Sequence, residues 1–222
     1  MTLPSPNFSE RRGGAKPSLI VIHYTAMESC AAARDRLCDP DAEVSAHWLI
    51  SETGQAEALV DESFRAWHAG AGEWAGITDV NSHSIGIELA NRGNHPFPEP
   101  QMVALERLLR QVMHRWAIAP GGVIGHSDMA PARKSDPGPR FDWQRLARQG
   151  LALWPSLPLP AAPQPSQFRP LALALGYATD LPDDLLLRAL RLRYRPWATG
   201  PLDARDLQIL AALTVDATPA QA

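Results

Sequence analysis

Short apolar runs, each bounded by polar or turn-forming residues, predict a set of strands in the first two-thirds of the chain. These runs lie at residues 19–22, 46–50, 56–60, 84–89 and 123–124. The second and third runs flank Thr53-Gly54-Gln55. A short glycine-containing turn between two such runs is typical of a β-hairpin. The fourth run is β-type but is interrupted by Gly86.

Apolar positions recur with helical spacing between these runs. The longest helical pattern covers residues 99–118, where the apolar stripe consists of Met102, Leu105, Leu109, Val112, Met113 and Trp116. Shorter helices are predicted over residues 29–37 and 141–153. Because strands alternate with helices, the pattern predicts an α/β fold.

Prolines concentrate in residues 155–167. That density excludes a helix or a central strand and predicts a semi-rigid linker. The linker separates a body, residues 1–154, from a tail, residues 168–222. The tail has helical patterns at residues 171–175, 185–192 and 203–213, so a small all-α domain is predicted. Few contacts are expected to cross the linker, and the body is expected to fold without the tail.

The overall composition narrows the function classes only modestly. The 222 residues are 45% hydrophobic and 20% charged, which excludes a disordered or fibrous chain. The formal net charge of −3 shows no basic excess, so no nucleic-acid partner is expected. No apolar run approaches the roughly 20 residues of a transmembrane helix, so no transmembrane segment is expected. A monomer is expected.

Two features of the sequence bear on the cellular location of the protein. Cys30 and Cys38 lie eight residues apart in a predicted helix, so their backbones are expected about 12 Å apart, beyond disulfide reach. Both are therefore predicted to be free thiols. Residues 1–12 lack the apolar core of a signal peptide, which favours a cytoplasmic location. The alternative is the periplasm or outer membrane, if Met1 is not the natural start.

Candidate metal-ligating residues follow the ends of two predicted strands. His23 and His126 each follow a short apolar run, and Asp136 lies ten residues after His126. Two imidazoles and one carboxylate, with a fourth position left for water, are the ligands of a catalytic zinc ion. Each histidine taken alone fits a surface position or a hydrogen-bonded core position better than a metal site, so the zinc interpretation depends on the three residues together.

Two charged residues have alternative interpretations. Glu88 lies within an apolar β run, so its carboxylate either faces solvent or acts as a general base or acid toward an attacking water. Lys134 either is a solvated charge or stabilises the oxyanion of a tetrahedral intermediate.

Five motifs in order carry a resemblance to a known family. They are VIHYTA (21–26), SAHWL (45–49), WHAG (67–70), SIGIEL (84–89) and GHSDMAPARKSDPGP (125–139). Together they resemble the zinc-dependent N-acetylmuramoyl-L-alanine amidases, which are related to phage amidase lysozymes and to peptidoglycan recognition proteins. The resemblance covers residues 4–154 and places the chain on the bacterial side of this superfamily.

The resemblance implies a fold and a set of roles. The fold is a mixed central β-sheet flanked by helices, with zinc at one end. His23, His126 and Asp136 match the zinc ligands, Glu88 matches the catalytic glutamate and Lys134 matches the lysine that stabilises the transition state. Three further residues either contact substrate or pack the walls of the site: His47, Trp67 and His68.

The tail resembles, more faintly, a small three-helix peptidoglycan-binding module that follows some of these amidases. Phe168, Tyr194, Pro196 and Trp197 are compatible with it. The alternative is a helical appendage that packs on the body.

The function implied by the resemblance is zinc-dependent hydrolysis of the amide between N-acetylmuramic acid, or its anhydro form, and L-alanine of the stem peptide. The expected substrates are peptidoglycan or soluble anhydro-muropeptides, in cell-wall turnover or recycling. One rival is a non-catalytic peptidoglycan receptor, which would need neither metal nor base. Another is a zinc peptidase that cuts within the stem peptide.

Overall fold

A computed structural model describes residues 4–217. The strands are β1 (Phe8–Ser9), β2 (Leu19–Tyr24), β3 (Trp48–Ile50), β4 (Ala56–Ala58), β5 (Arg65–Ala66), β6 (Ser84–Leu89) and β7 (Val123–Gly125). The helices of the body are α1 (Cys30–Cys38), α2 (Val80–His83), α3 (Glu99–Trp116), α4 (His126–Met129) and α5 (Trp143–Ala147). Those of the tail are α6 (Phe168–Leu175), α7 (Asp183–Tyr194) and α8 (Ala204–Ala217).

The central sheet is mixed and has the strand order β4-β3-β6-β2-β7. Its β3–β6, β6–β2 and β2–β7 neighbours are parallel, whereas β3 and β4 form the predicted antiparallel hairpin. The separate pair β1–β5 is antiparallel. The predicted α/β fold, with a mixed sheet flanked by helices, is therefore confirmed.

The register of the two longest strands places polar residues side by side at one end of the sheet. His23 on β2 pairs with Glu88 on β6. Because side chains alternate between faces, Val21 shares a face with His23, and Gly86 shares that face with Glu88. The same face is thus apolar where β2 begins and polar where it ends.

The opposite face of the sheet packs against α3. Ile20 and Ile22 of β2 belong to a buried cluster with Leu105 and Leu109 of α3. The helix ends at Trp116, two residues before the predicted end, because Ala117 adopts a left-handed conformation with φ 54°.

The last helix of the body is much shorter than predicted. The expectation of a helix over residues 141–153 is wrong, since α5 covers only Trp143–Ala147. The carboxylate of Asp142 caps its start by accepting from the backbone N–H of Arg145 at 2.9 Å. Beyond its end the chain turns at Gly150, whose φ is +70°. Apolar periodicity alone did not reveal either boundary.

The tail is not an independent body. One continuous hydrophobic cluster includes Val21 and Ile124 of the sheet together with Phe168, Leu190 and Leu210 of the tail. The expectation that few contacts cross the linker is therefore wrong. The proline-rich segment limits regular structure within itself, but it does not prevent the helices after it from packing on the sheet.

Direct contacts confirm this close packing. The rings of Trp74 and Tyr177 meet edge to face with centroids 5.0 Å apart. The backbone N–H of Ala75 donates to the carbonyl of Gly176 at 2.7 Å. A side chain at Gly176 would place its Cβ 2.8 Å from the indole of Trp74, so this close approach requires glycine.

We expect removal of residues 155–222 to destabilise the body strongly. Burial of one large apolar side chain contributes about 1.5–3 kcal/mol, and a typical domain is stable by only about 5–15 kcal/mol. Exposure of the cluster around Val21 and Trp74 removes several such contributions. Thermal unfolding of the truncated chain should show a much lower Tm, with aggregation.

The control for this truncation is a chain that ends at residue 217, which keeps all three tail helices. An unchanged Tm in the chain that ends at residue 154 would contradict the packing described above.

Among residues 4–217, no helix combines the length and the apolar character that spanning a bilayer requires. Cys30 and Cys38 are free thiols at the two ends of α1, as predicted.

Candidate active site

The three predicted metal ligands converge at one end of the sheet. Nδ1 of His23 lies 2.9 Å from Nδ1 of His126, and Oδ2 of Asp136 lies 3.0 Å from each of these nitrogens. All three residues are buried. Residues more than a hundred positions apart in the chain thus present two nitrogens and one oxygen to a common point.

Local structure explains this convergence. His23 lies near the end of β2, and His126 is the first residue of α4, directly after the neighbouring parallel strand β7. The carboxyl ends of parallel strands meet at one edge of a sheet, where sites on α/β folds gather. The backbone N–H of Ser127 donates to the carbonyl of Asp136 at 2.9 Å, which ties the third ligand to α4.

Hydrogen bonds behind the ligands orient both imidazoles. Nε2 of His126 lies 2.9 Å from the carbonyl of Ala69 and must be the protonated nitrogen that donates to it. This tautomer leaves Nδ1 of His126 with a free lone pair. The second nitrogen of a metal-ligating histidine almost always makes such a bond.

His23 is oriented by a longer chain of polar groups. Its Nε2 lies 3.0 Å from Nδ1 of His68, whose Nε2 lies 3.1 Å from Oγ of Ser84. The hydroxyl of Ser84 donates to the carbonyl of Val80 at 2.6 Å. With His23 and His68 both protonated on Nε2, each donor in this series of hydrogen bonds has an acceptor. The series from His23 through His68 to Ser84 is called the histidine relay below.

Gly86 makes room for this relay. A Cβ at this position would lie 2.4 Å from the ring of His68. The interruption of the β run by a glycine is therefore explained by the close approach of an imidazole. The segment that carries His68 is held by Asn81, whose Oδ1 accepts from the backbone N–H groups of His68 and Ala69 at 3.0 and 2.8 Å.

The electrostatics of the metal-free site favour a neutral His23 beside a charged Asp136. Burial, together with a smaller contribution from the neighbouring His126, lowers the pKa of His23 from 6.5 to about 4. Burial alone would raise the pKa of Asp136, but the close approach of the His126 and His23 imidazoles reverses the effect and holds this pKa well below its ordinary value. Neutral imidazoles and ionised carboxylates are the forms that bind metal ions.

Glu88 faces the same cavity from the adjacent strand. Its Oε2 is buried and has no hydrogen-bond partner among residues 4–217. Burial, together with a smaller contribution from the charge of Asp136, raises the pKa of Glu88 to about 8. A buried carboxylate oxygen without a hydrogen-bond partner costs folding free energy. The unpaired Oε2 of Glu88 therefore indicates that a ligand or a water is its partner. The solvent-facing interpretation of this residue is thus not supported.

The cavity over these groups has a volume of about 360 Å³. Cationic side chains on its lining are Arg36, Arg133 and Lys134. The side chain of Lys134 is exposed, which suits a group that meets a bound molecule at the rim. The cavity thus combines the candidate metal ligands and Glu88 with cationic side chains at its edge.

The three predicted substrate contacts divide into two kinds. Trp67 and His68 line the cavity and are half-buried. His47 is fully buried and does not line it. Its Nδ1 accepts from the backbone N–H of Gly86 at 2.9 Å, and its Nε2–H donates to the carbonyl of Phe64 at 3.1 Å. The geometry therefore supports a wall-packing role for His47, which the sequence had left open.

Sequence reasoning missed three residues that shape the site. Ser84 and Asn81 hold the relay behind His23, and the guanidinium of Arg133 donates to the carbonyls of Ala69 and Ala71. Arg133 lies inside one of the motifs and next to Lys134, and this position in the sequence could have indicated that it belongs to the site. Ser84 is the first residue of the SIGIEL motif, but neither it nor Asn81 carried a signal for its role, because both roles depend on the loop that approaches them.

The donor set fits a divalent metal ion. The three ligand atoms and their residues form a group that could hold such an ion. Two imidazole nitrogens and one carboxylate oxygen suit zinc, whose bonds to such atoms measure about 2.0–2.2 Å. The orphaned oxygen of Glu88 beside them is compatible with a water that the metal would orient.

Comparisons with known proteins agree with this site. The family model described as N-acetylmuramoyl-L-alanine amidase (Amidase_2) matches residues 13–139, a segment that contains all three candidate ligands, Glu88 and Lys134. The chain is 41% identical over 156 residues to the N-acetylmuramoyl-L-alanine amidase AmiD of Escherichia coli, a match that covers 62% of this chain. It is 35% identical over 161 residues to the 1,6-anhydro-N-acetylmuramyl-L-alanine amidase AmpD of Enterobacter cloacae, a match that covers 65% of this chain. The chain spans about half of the AmiD sequence (54%) and 86% of the AmpD sequence.

Solved structures extend the similarity to the tail. A complex of E. coli AmiD with anhydro-N-acetylmuramic acid-L-Ala-D-γ-Glu-L-Lys has a TM-score of 0.82 at 31% identity, covering 95% of this chain and 98% of that one. AmpDh3 from Pseudomonas aeruginosa, in complex with anhydromuramic pentapeptide, has a TM-score of 0.82 at 30% identity, covering 97% and 98%. Both matches extend over most of the tail as well as the body.

Proposed function

Because the chain belongs to the N-acetylmuramoyl-L-alanine amidase family, we propose that it hydrolyses the amide between the lactyl group of N-acetylmuramic acid, or its anhydro form, and L-alanine of the stem peptide. The observation that carries this proposal is the convergence of His23, His126 and Asp136 in one cavity with Glu88. A binding protein would need neither the ligand set nor the buried base.

The metal is zinc in this proposal, held by Nδ1 of His23, Nδ1 of His126 and Oδ2 of Asp136. Zinc supplies Lewis-acid polarisation of the scissile carbonyl and of the attacking water. The chain's own contribution is to keep both Nδ1 atoms unprotonated, through the acceptors at Ala69 and His68.

Glu88 is the proposed general base and acid. Its buried Oε2 accepts a proton from the attacking water and delivers it to the nitrogen of the leaving L-alanine. The Glu88 carboxylate would be favoured in its ionised form by a metal ion held at His23, His126 and Asp136, which would counteract the increase in pKa caused by burial. No side-chain nucleophile is required, so no covalent intermediate is expected.

Cations at the rim complete the proposed mechanism. Lys134 stabilises the oxyanion that develops on the lactyl carbonyl. Arg36 and Arg133 lie on the same lining and complement the carboxylates of a stem peptide. Trp67 and His68 are the proposed walls for the sugar and the first peptide residues.

The proposed substrates are soluble anhydro-muropeptides, as in cell-wall recycling. AmiD and AmpDh3 have been solved with anhydromuramic peptides bound, which supports this class. Intact peptidoglycan is the alternative substrate. A monomer in the cytoplasm remains the prediction, with the periplasm or outer membrane as the alternative location.

Residues 168–222 are proposed as a peptidoglycan-binding-like module. Phe168 and Tyr194 are buried, so they pack the core and do not contact a glycan. Trp197 is 74% exposed and is the aromatic residue on which a sugar could stack.

Mass spectrometry of digestion products tests the function. Purified sacculi and soluble anhydro-muropeptides are digested separately, with and without a metal chelator. We expect free peptides that begin with L-alanine, formed faster from the soluble substrate, and no product in chelator. Cuts within the stem peptide would indicate a peptidase, and binding without any product would indicate a receptor.

A further inference from the structure

A buried arginine of the tail contacts the turn that carries a proposed metal ligand. Nη1 of Arg193, on α7, donates to Oδ2 of Asp128 at 2.6 Å. Both side chains are almost completely buried, at 5% and 1% exposure. Asp128 lies on α4, two residues after His126.

Asp128 shapes the turn in which His126 lies. Its Oδ2 also accepts from the backbone N–H of Gly125 at 2.8 Å. The carboxylate therefore closes the step from β7 into α4, and His126 lies inside the closed segment. Asp128 acts on the residues flanking the ligand and does not touch the cavity.

Arg193 makes further contacts around the same segment. Its Nη2 donates to the carbonyl of Val123 at 3.2 Å, and its guanidinium lies 3.9 Å from the ring centroid of Trp143. One side chain of the tail thus binds the start of β7 and the carboxylate of α4, on either side of His126. A planar guanidinium with several fixed donors suits this two-sided contact, and an ammonium does not.

We propose that Arg193 is a positioning residue for His126, so that the tail supports the metal site in addition to any binding role. The proposal rests on the proposed metal site. Loss of Arg193 leaves the buried carboxylate of Asp128 without its cation, and the segment from Val123 to Asp128 rearranges to hydrate or re-pair it. Nδ1 of His126 then no longer points steadily at the common ligand position.

A second buried arginine on the same helix provides a matched control. Arg191 pairs with Asp206 at 2.6 Å and donates to the carbonyls of Gly200 and Pro201. These partners all lie within the tail. Arg191→Met therefore removes a buried ion pair of the same helix without any contact to β7 or α4, while Asp206 keeps Arg195 as a second partner at 2.7 Å.

The experiment compares full-length wild type, Arg193→Met and Arg191→Met in the metal-free form. Zn²⁺ affinity is measured by competition with a chromophoric chelator, ligand geometry by the visible spectrum of the Co²⁺ form, and stability by Tm. For Arg193→Met we expect Zn²⁺ affinity to fall by about 10–100-fold, as for other residues that orient ligands. Its Co²⁺ spectrum should change, and after reloading with Zn²⁺ its kcat should fall more than its KM rises. Arg191→Met should lower Tm but keep wild-type affinity and spectrum.

Two results distinguish failure of the Arg193 proposal from failure of the proposed metal site. If both variants lower Tm while their Zn²⁺ affinity and Co²⁺ spectrum match the wild type, Arg193 is merely structural and the proposal is overturned. If the wild type itself binds neither metal, the proposed metal site fails instead. Should Arg193→Met not fold, Arg193→Lys replaces it. Reduced affinity with an altered spectrum supports the proposal, and wild-type values at lowered Tm overturn it.

Discussion

Substitution of Glu88 by Gln is expected to lower kcat by roughly 10²–10⁴-fold, the usual effect of losing a positioned general base. The amide keeps the size of the side chain but cannot accept the proton of the attacking water. His23, His126 and Asp136 are untouched, so the variant should retain one metal ion per chain. Turnover is measured on a soluble anhydro-muropeptide, and metal content by elemental analysis.

Glu57→Gln is the control for this substitution. Glu57 lies on β4 and pairs with Arg34 at 2.8 Å, and neither residue lines the cavity. This variant should keep wild-type turnover. Loss of the metal from Glu88→Gln would instead make Glu88 a ligand and would contradict the division of roles.

The same variant has a second, metal-free readout. Burial raises the pKa of Glu88 from 4.5 to about 8, so folding favours its neutral form. The stability contributed by this group is fully present below about pH 4.5 and is lost as pH rises through about 8. Urea unfolding across this range should show the metal-free wild type losing more stability than Glu88→Gln, whose amide does not titrate.

Substitution of Asp136 by Ala is expected to remove the metal and nearly all activity. Two imidazoles remain, and the third position of the site becomes empty space beside a buried pair of histidines. Since changes behind the ligands already cost about 10–100-fold in affinity, loss of a ligand should weaken Zn²⁺ binding by at least about 100-fold. Competition with a chelator measures this, and turnover should fall in parallel.

Asp142→Ala is the matched control for the loss of a carboxylate. Asp142 caps α5 and does not line the cavity, so this variant should bind Zn²⁺ as the wild type does. Full metal occupancy and full activity of Asp136→Ala would show that Asp136 is not a ligand.

Local patterns were sufficient for the sheet and for most of the site residues. The apolar runs predicted β2, β6 and β7, and histidines at the ends of β2 and β7 pointed to one edge of the sheet. The adjacency of His23 and Glu88 required the register between β2 and β6, which depends on how two distant segments pair. The catalytic role of Glu88 and the transition-state role of Lys134 were inferred from the motif resemblance, because the spacing of these residues alone did not indicate them.

The relation of the tail to the body could not be predicted from the sequence. The proline-rich segment indicated a linker, and a linker by itself does not show whether the helices beyond it pack on the sheet. Arg193 resembles any charged residue of an amphipathic helix until the fold buries it against Asp128. The relay from His23 through His68 to Ser84 was hidden for the same reason, because its members come from three separate segments.

The central claim is that this chain hydrolyses one specific amide with a metal-dependent site. The most direct test is digestion of a defined anhydro-muropeptide in heavy-oxygen water, followed by mass spectrometry of both products. We predict one heavy oxygen in the new carboxylate of the muramic acid and none in the peptide that begins with L-alanine, with the reaction abolished by chelator and restored by Zn²⁺. Heavy oxygen in a peptide carboxylate, or no cleavage with Zn²⁺ bound, would contradict the account.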